Sequence, residues 1–131
     1  MEIQKRICGF WDLEVYQNSY KAMIIVIKEV VPKLPVEERY DLKDQLRRAC
    51  KSIPRLIAEG YAKRHQKAGF QKYIDDAMGE CNEMVVSLNQ VKDIYSGHMS
   101  IKLCDELIDS YDKSGRQLYK LAKSWTNFKQ R

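Results

Sequence analysis

The chain has 131 residues and carries 23 Lys and Arg against 18 Asp and Glu, a formal net charge of +5. With 44% hydrophobic and 31% charged residues it is balanced like a globular protein rather than a disordered one, and one domain spanning 1–131 is expected at this length. Six Gly and three Pro are too few for a turn-rich all-β fold. The longest apolar run, Met23 to Ile27, is too short to cross a membrane, and no stretch near the N-terminus suits a signal peptide, so a cytoplasmic protein with no membrane role is expected.

Hydrophobic periodicity divides the chain into four helices. The first is expected over about 12–31, with Asp12 as N-cap, Pro32 and Pro35 as terminators, and an apolar stripe of Leu13, Tyr16, Tyr20, Ile24, Ile27 and Val31. The second is expected over about 37–62, with stripe Leu42, Leu46, Ala49, Ile53, Leu56 and Gly60; Pro54 inside it removes one backbone hydrogen bond and predicts a kink. The third is expected over about 66–95. Its stripe of Phe70, Ile74, Ala77, Cys81, Met84, Leu88, Val91 and Tyr95 is an unbroken heptad pattern, the clearest signal in the sequence. Ser96-Gly97 stops it. The fourth is expected over about 100–128, with stripe Cys104, Leu107, Tyr111, Ser114, Leu118, Leu121 and Trp125.

A repeat of 3.5 residues keeps an apolar seam facing its neighbours in a left-handed supercoil, and short connections make consecutive helices antiparallel. The fold class is therefore all-α, an antiparallel up-down-up-down four-helix bundle. Three breaks at similar intervals favour it over one extended coiled coil. The stripes are also wider than a simple seam. Ile25, Val26, Val30, Cys50, Ile57, Tyr73 and Val85 add apolar surface that belongs to the core or to a contact with another subunit.

The net charge conceals segregation. Residues 1–38 sum to −1, 39–72 to +7, 73–112 to −7 and 113–131 to +6. Arg47, Lys51 and Arg55 fall at i, i+4 and i+8 and share one helix face, an arrangement that calls for an acidic partner. That partner is the 73–112 segment, of this or another subunit, or phosphate. Phosphate contacts supply affinity with little sequence reading. The candidate nucleic-acid-binding residues are Arg47, Lys51, Arg55, Lys63, Arg64 and Lys67, then Lys113, Arg116, Lys120 and Lys123.

Catalysis finds little support. Cys8, Cys50, Cys81 and Cys104 form no C-x-x-C pair, so neither a metal nor another cofactor is expected. Neither His65 nor His98 follows a Glu by three residues, as a di-iron bundle would need, and no nucleophile elbow or phosphate loop occurs. The carboxylates Asp75, Asp76, Glu80, Glu83, Asp105, Glu106 and Asp109 read as a solvated acidic face. The chain is expected not to be an enzyme.

The run Gln45-Leu46-Arg47-Arg48-Ala49-Cys50-Lys51-Ser52-Ile53-Pro54-Arg55-Leu56-Ile57-Ala58-Glu59-Gly60 resembles the signature Q-L-x-R-A-x-x-S-I-x-x-N-I-A-E-G of the bacterial four helix bundle family, which includes proteins encoded in intervening sequences of 23S rRNA genes. Phe10 to Gln17 resembles the family's F-x-D-L-x-V-W/Y-Q opening, and Ala77-Met78-Gly79 with Glu83 resembles its A-x-G-S-x-x-E. Leu56 stands where the family has Asn, and Glu80 where it has Ser. The resemblance spans about 10–95. It implies a homopentameric barrel of four-helix bundles and kinship with the accessory variability determinant of diversity-generating retroelements, which binds nucleic acid and associates with a reverse transcriptase.

The expected function is thus a non-catalytic, basic, oligomeric nucleic-acid accessory whose partners are itself, DNA, RNA or hybrid, and a reverse transcriptase. The alternative is a protein-interaction scaffold in which basic and acidic segments pair. A third reading places the basic C-terminal helix, with Trp125 and Phe128, on a membrane surface. Arg48 and Glu59 are expected to bridge helices, and Gly60 to allow a close helix approach.

Overall fold

A computed structural model describes residues 6–129, with side chains described to residue 124. Four long helices dominate: α1 (Glu14–Ile25), α2 (Leu42–Ala62), α3 (Lys67–Tyr95) and α4 (Ile101–Lys129). There is no strand among the described residues. α2 packs against α1 and α3, and α4 packs against α3 and α1, while the backbones of α2 and α4 stay apart across the core. The helices thus close around one core, with α2 and α4 at opposite corners.

α1 begins later than its sequence suggests. Phe10–Asp12 form a 3-10 turn, and Leu13 precedes the first α-helical residue, Glu14. Asp12 is not the N-cap of α1. Its carboxylate instead reaches back to accept from the backbone N–H groups of Cys8 at 2.8 Å and Gly9 at 3.3 Å. After Ile25 the helix widens into a π stretch, Val26–Val30, where Val31 N–H donates to the carbonyl of Val26 five residues earlier. Pro32 lies in a 3-10 turn, Val31–Lys33, and Pro35 precedes another, Val36–Glu38. That second turn takes the place of the expected start of α2, which begins only at Leu42. The Leu42 N–H donates to Glu38 Oε1 at 3.2 Å and so binds the turn to the helix. Pro54 sits buried inside an unbroken α2.

The α3 stripe is buried from Phe70 to Val91, with Tyr95 half-buried at its end. α4 buries Cys104, Leu107, Tyr111, Ser114 and Leu118; Trp125 and Phe128 lie outside the residues whose side chains are described. α2 buries Leu42, Leu46, Ala49, Cys50, Ile53, Ile57 and Gly60. Each buried Leu, Ile or Val contributes about 1.5–3 kcal/mol from water exclusion. Val26, Val30, Cys50 and Ile57, read from sequence as extra apolar surface, are fully buried.

α1 departs most from expectation. Its buried residues are Val15, Ser19 and Ala22, continued by Val26 and Val30 in the π stretch. Tyr20 and Ile24, read as core, are exposed, and Tyr16 is only partly covered. The helix has turned its small residues inward and its rings outward. No helix among the described residues is long and apolar enough to cross a membrane.

Candidate nucleic-acid interface

The outer face of α2 carries Arg47, Lys51 and Arg55 in one exposed row along an open groove of about 510 Å³. Arg48 also borders the groove but is engaged within its own helix. It donates from Nε to Asp44 Oδ2 at 3.0 Å and from Nη2 to Gln45 Oε1 at 3.3 Å. Among the described residues neither Arg48 nor Glu59 forms the expected ion pair to another helix. Asp44, four residues back on the same helix face, takes the Arg48 guanidinium instead. Among the described residues Arg47, Lys51 and Arg55 have no ion pair.

Lys63, Arg64 and Lys67 gather where α2 hands over to α3, and all three are exposed. Arg64 lies over the Tyr61 ring at 4.2 Å and donates to the Tyr61 carbonyl at 2.9 Å. Lys63 approaches the Tyr73 ring at 6.0 Å, and Lys67 opens α3. Lys113, Arg116, Lys120 and Lys123 line α4, the opposite corner, so the ten candidate residues form separate surfaces. Lys113 pairs with Glu14 at 3.7 Å, Arg116 pairs with Asp112, and Lys123 sits 4.9 Å from the Tyr119 ring centre. Lys120 has no ion pair among the described residues.

The ion pairs of the acidic segment lie within it or within single helices. Lys92 donates to Asp105 at 2.6 Å across α3 and α4, a bond that raises the Lys92 pKa. Lys72 pairs with Asp76 at 3.7 Å one turn away. Exposed pairs of this kind contribute only about 0.2–1 kcal/mol.

One feature of this surface is not visible in the periodicity. The outward rings of α1, with Phe10 of the preceding 3-10 turn, lie beside the basic row. Phe10, Tyr16, Tyr20 and Met23 face Pro54 and Ala58 of α2 across a cleft of about 380 Å³, and Lys51 and Arg55 form its rim. The signal that places them there is the small-residue run Val15, Ser19 and Ala22, which competes with the aromatic stripe for the core.

His65 is exposed on the α2–α3 connection, and His98 meets Tyr95 edge-on at 5.6 Å. Among the described residues no three His, Cys, Asp or Glu side chains are grouped to hold a metal ion. At the centre, burial raises the thiols of Cys50 to about 11 and Cys81 to about 12, and pushes up the phenol of Tyr111 beside them. The Tyr111 hydroxyl and Ser114 Oγ have no hydrogen-bond partner among the described residues.

Fold and surface together define a small all-helical protein with a free row of cations on one corner helix. The family described as 23S rRNA-intervening sequence protein matches residues 11–120, and the chain belongs to that family. No curated protein matches the chain, and no solved structure does.

Proposed function

We propose that the protein is a non-catalytic nucleic-acid-binding accessory that acts as a homopentameric barrel of up-down-up-down four-helix bundles. The observation that carries this reading is the Arg47, Lys51 and Arg55 row, exposed and without an ion pair among the described residues. An antiparallel course is supported by the α2–α3 pairings. A Cβ at Gly60 would lie 3.3 Å from Ile74, Gln45 bonds Glu83, and Glu38 bonds Tyr95, so positions descend along one side as they rise along the other. Self-assembly is supported by Val86 and Ile94, 56% and 63% exposed and two turns apart on α3.

Gel-shift titration at low salt against single-stranded, duplex and hybrid probes tests the reading. Binding is expected for the native chain and should weaken steeply as salt rises, with a log–log slope of about −0.7 to −0.9 per phosphate contacted. Combined Arg47→Ala, Lys51→Ala and Arg55→Ala should lower affinity at least about tenfold and flatten the slope by about two to three. No binding of any probe at low salt overturns it.

The reverse transcriptase of a diversity-generating retroelement is the partner this reading names. A neighbouring reverse-transcriptase gene with a template repeat supports that pairing. Placement inside a 23S rRNA gene supports instead a protein-interaction scaffold of the intervening-sequence class.

A further inference from the structure

We infer that the cleft between α1 and α2 is a stacking slot for an unpaired base of a single-stranded nucleic acid, with Lys51 and Arg55 holding the adjoining phosphates. The inference rests on the nucleic-acid reading above and adds what kind of strand that surface takes.

Three observations converge on the slot. First, its wall is a run of rings in mutual contact. Phe10 meets Tyr16 edge-on at 4.9 Å, Tyr16 lies 5.8 Å from Tyr20, and Tyr20 remains 44% exposed. Every base has a π-face, so such rings accept bases without reading them. Second, Pro54 and Ala58 give the opposite side a low apolar floor. Third, Lys51 and Arg55 border both this cleft and the basic groove of α2. The slot and the row of cations are therefore one continuous surface, apolar on one side and cationic on the other. This pairs the two chemistries of a nucleotide in the order in which a strand presents them. A duplex cannot use the slot, because the faces of its bases are already stacked.

The groove between α3 and α4 provides the contrast. It too holds a tyrosine and cations, but Lys123 covers Tyr119 at 4.9 Å and Asp112 neutralises Arg116. Among the described residues Lys120 there has no ion pair and Tyr119 is exposed, but among the grooves described only the α1–α2 cleft joins a ring that no cation covers to two cations without an ion pair.

Fluorescence anisotropy with a short labelled oligodeoxyadenylate, an abasic strand of equal length and the corresponding duplex tests the slot. The native chain should bind the base-bearing strand about fivefold to a hundredfold more tightly than the abasic strand. Tyr20→Ala should erase that preference, Tyr20→Phe should keep it, and Tyr40→Ala, on an exposed ring outside the cleft, should leave it unchanged. Unaltered helical circular dichroism in Tyr20→Ala separates lost stacking from lost folding. Equal binding of the base-bearing and abasic strands overturns the slot while sparing the phosphate surface; binding of no strand overturns both. If Tyr20→Ala lowers the mass of the assembly in light scattering and keeps the preference, the cleft is a contact between copies of this chain and the slot is overturned.

Discussion

Two helical glycines face opposite surroundings. A Cβ at Gly60 would lie 3.2 Å from the Cβ of Tyr73 and 3.3 Å from Ile74 Cδ1, whereas one at Gly79 would meet nothing within 4 Å. Alanine gains about 1 kcal/mol over glycine within a helix. At Gly60 the crowding of stiff α3 atoms costs about 1–3 kcal/mol and outweighs that gain. Gly60→Ala should therefore lower stability by about 1 kcal/mol, and Gly79→Ala should raise it by about 0.5–1 kcal/mol. Urea midpoints shifted in the reverse directions would contradict this. Residue spacing alone reveals Gly60 as a place of close approach, and it reveals the Arg47, Lys51 and Arg55 row. It does not reveal that Lys113 answers to Glu14, because that pairing joins helices at opposite ends of the chain.

At the scale of helices, α3 is legible in the sequence because a single apolar heptad stripe, Phe70 to Tyr95, runs almost its whole length. α1 is not. Its rings and its small residues both recur at helical spacing, and the choice between them depends on what α2 presents. Across the core, α2, α3 and α4 each place a titratable group in apolar surroundings: Cys50, Cys81 and Tyr111. The Tyr95 phenol, donating to Glu38, is likewise pushed up, to about 12. All four prefer the protonated form when folded. Above the ordinary thiol value of about 9 the unfolded chain releases its protons first, so it binds fewer than the native chain. Stability is then fully present below pH 9 and falls as pH rises from there through about 12. Thermal melts across that range should show the fall, and Tyr95→Phe should show less of it; a midpoint unchanged between pH 9 and 11 would contradict the linkage. Cys8, the one exposed cysteine, should react with a thiol reagent in the native chain while the other three wait for denaturant.

For the whole molecule, the assembly gives the most direct measurement. Light scattering at micromolar concentration should return about five times the 15.4-kDa chain mass, and a monomer there would contradict the ring. The exposed Val86 and Ile94 should be covered in it, so that Ile94→Asp lowers the mass. The corner arrangement bears on how such copies meet. α2 carries five cations and two carboxylates, whereas its neighbour α3 carries three cations and five carboxylates. α4 carries six cations and four carboxylates, so the sign of net charge alternates from α2 through α3 to α4, while α1 is neutral. A twofold pairing through either of these helices sets like against like along the symmetry axis. A head-to-tail contact sets α3 of one copy against α4 of the next, keeps the α2 row open to phosphate, and leaves one copy with an unused acidic face and the other with an unused basic one. Contacts of that heterologous kind propagate until the rotation closes. Charge alternation within one bundle is thus a bias towards cyclic rather than dimeric order.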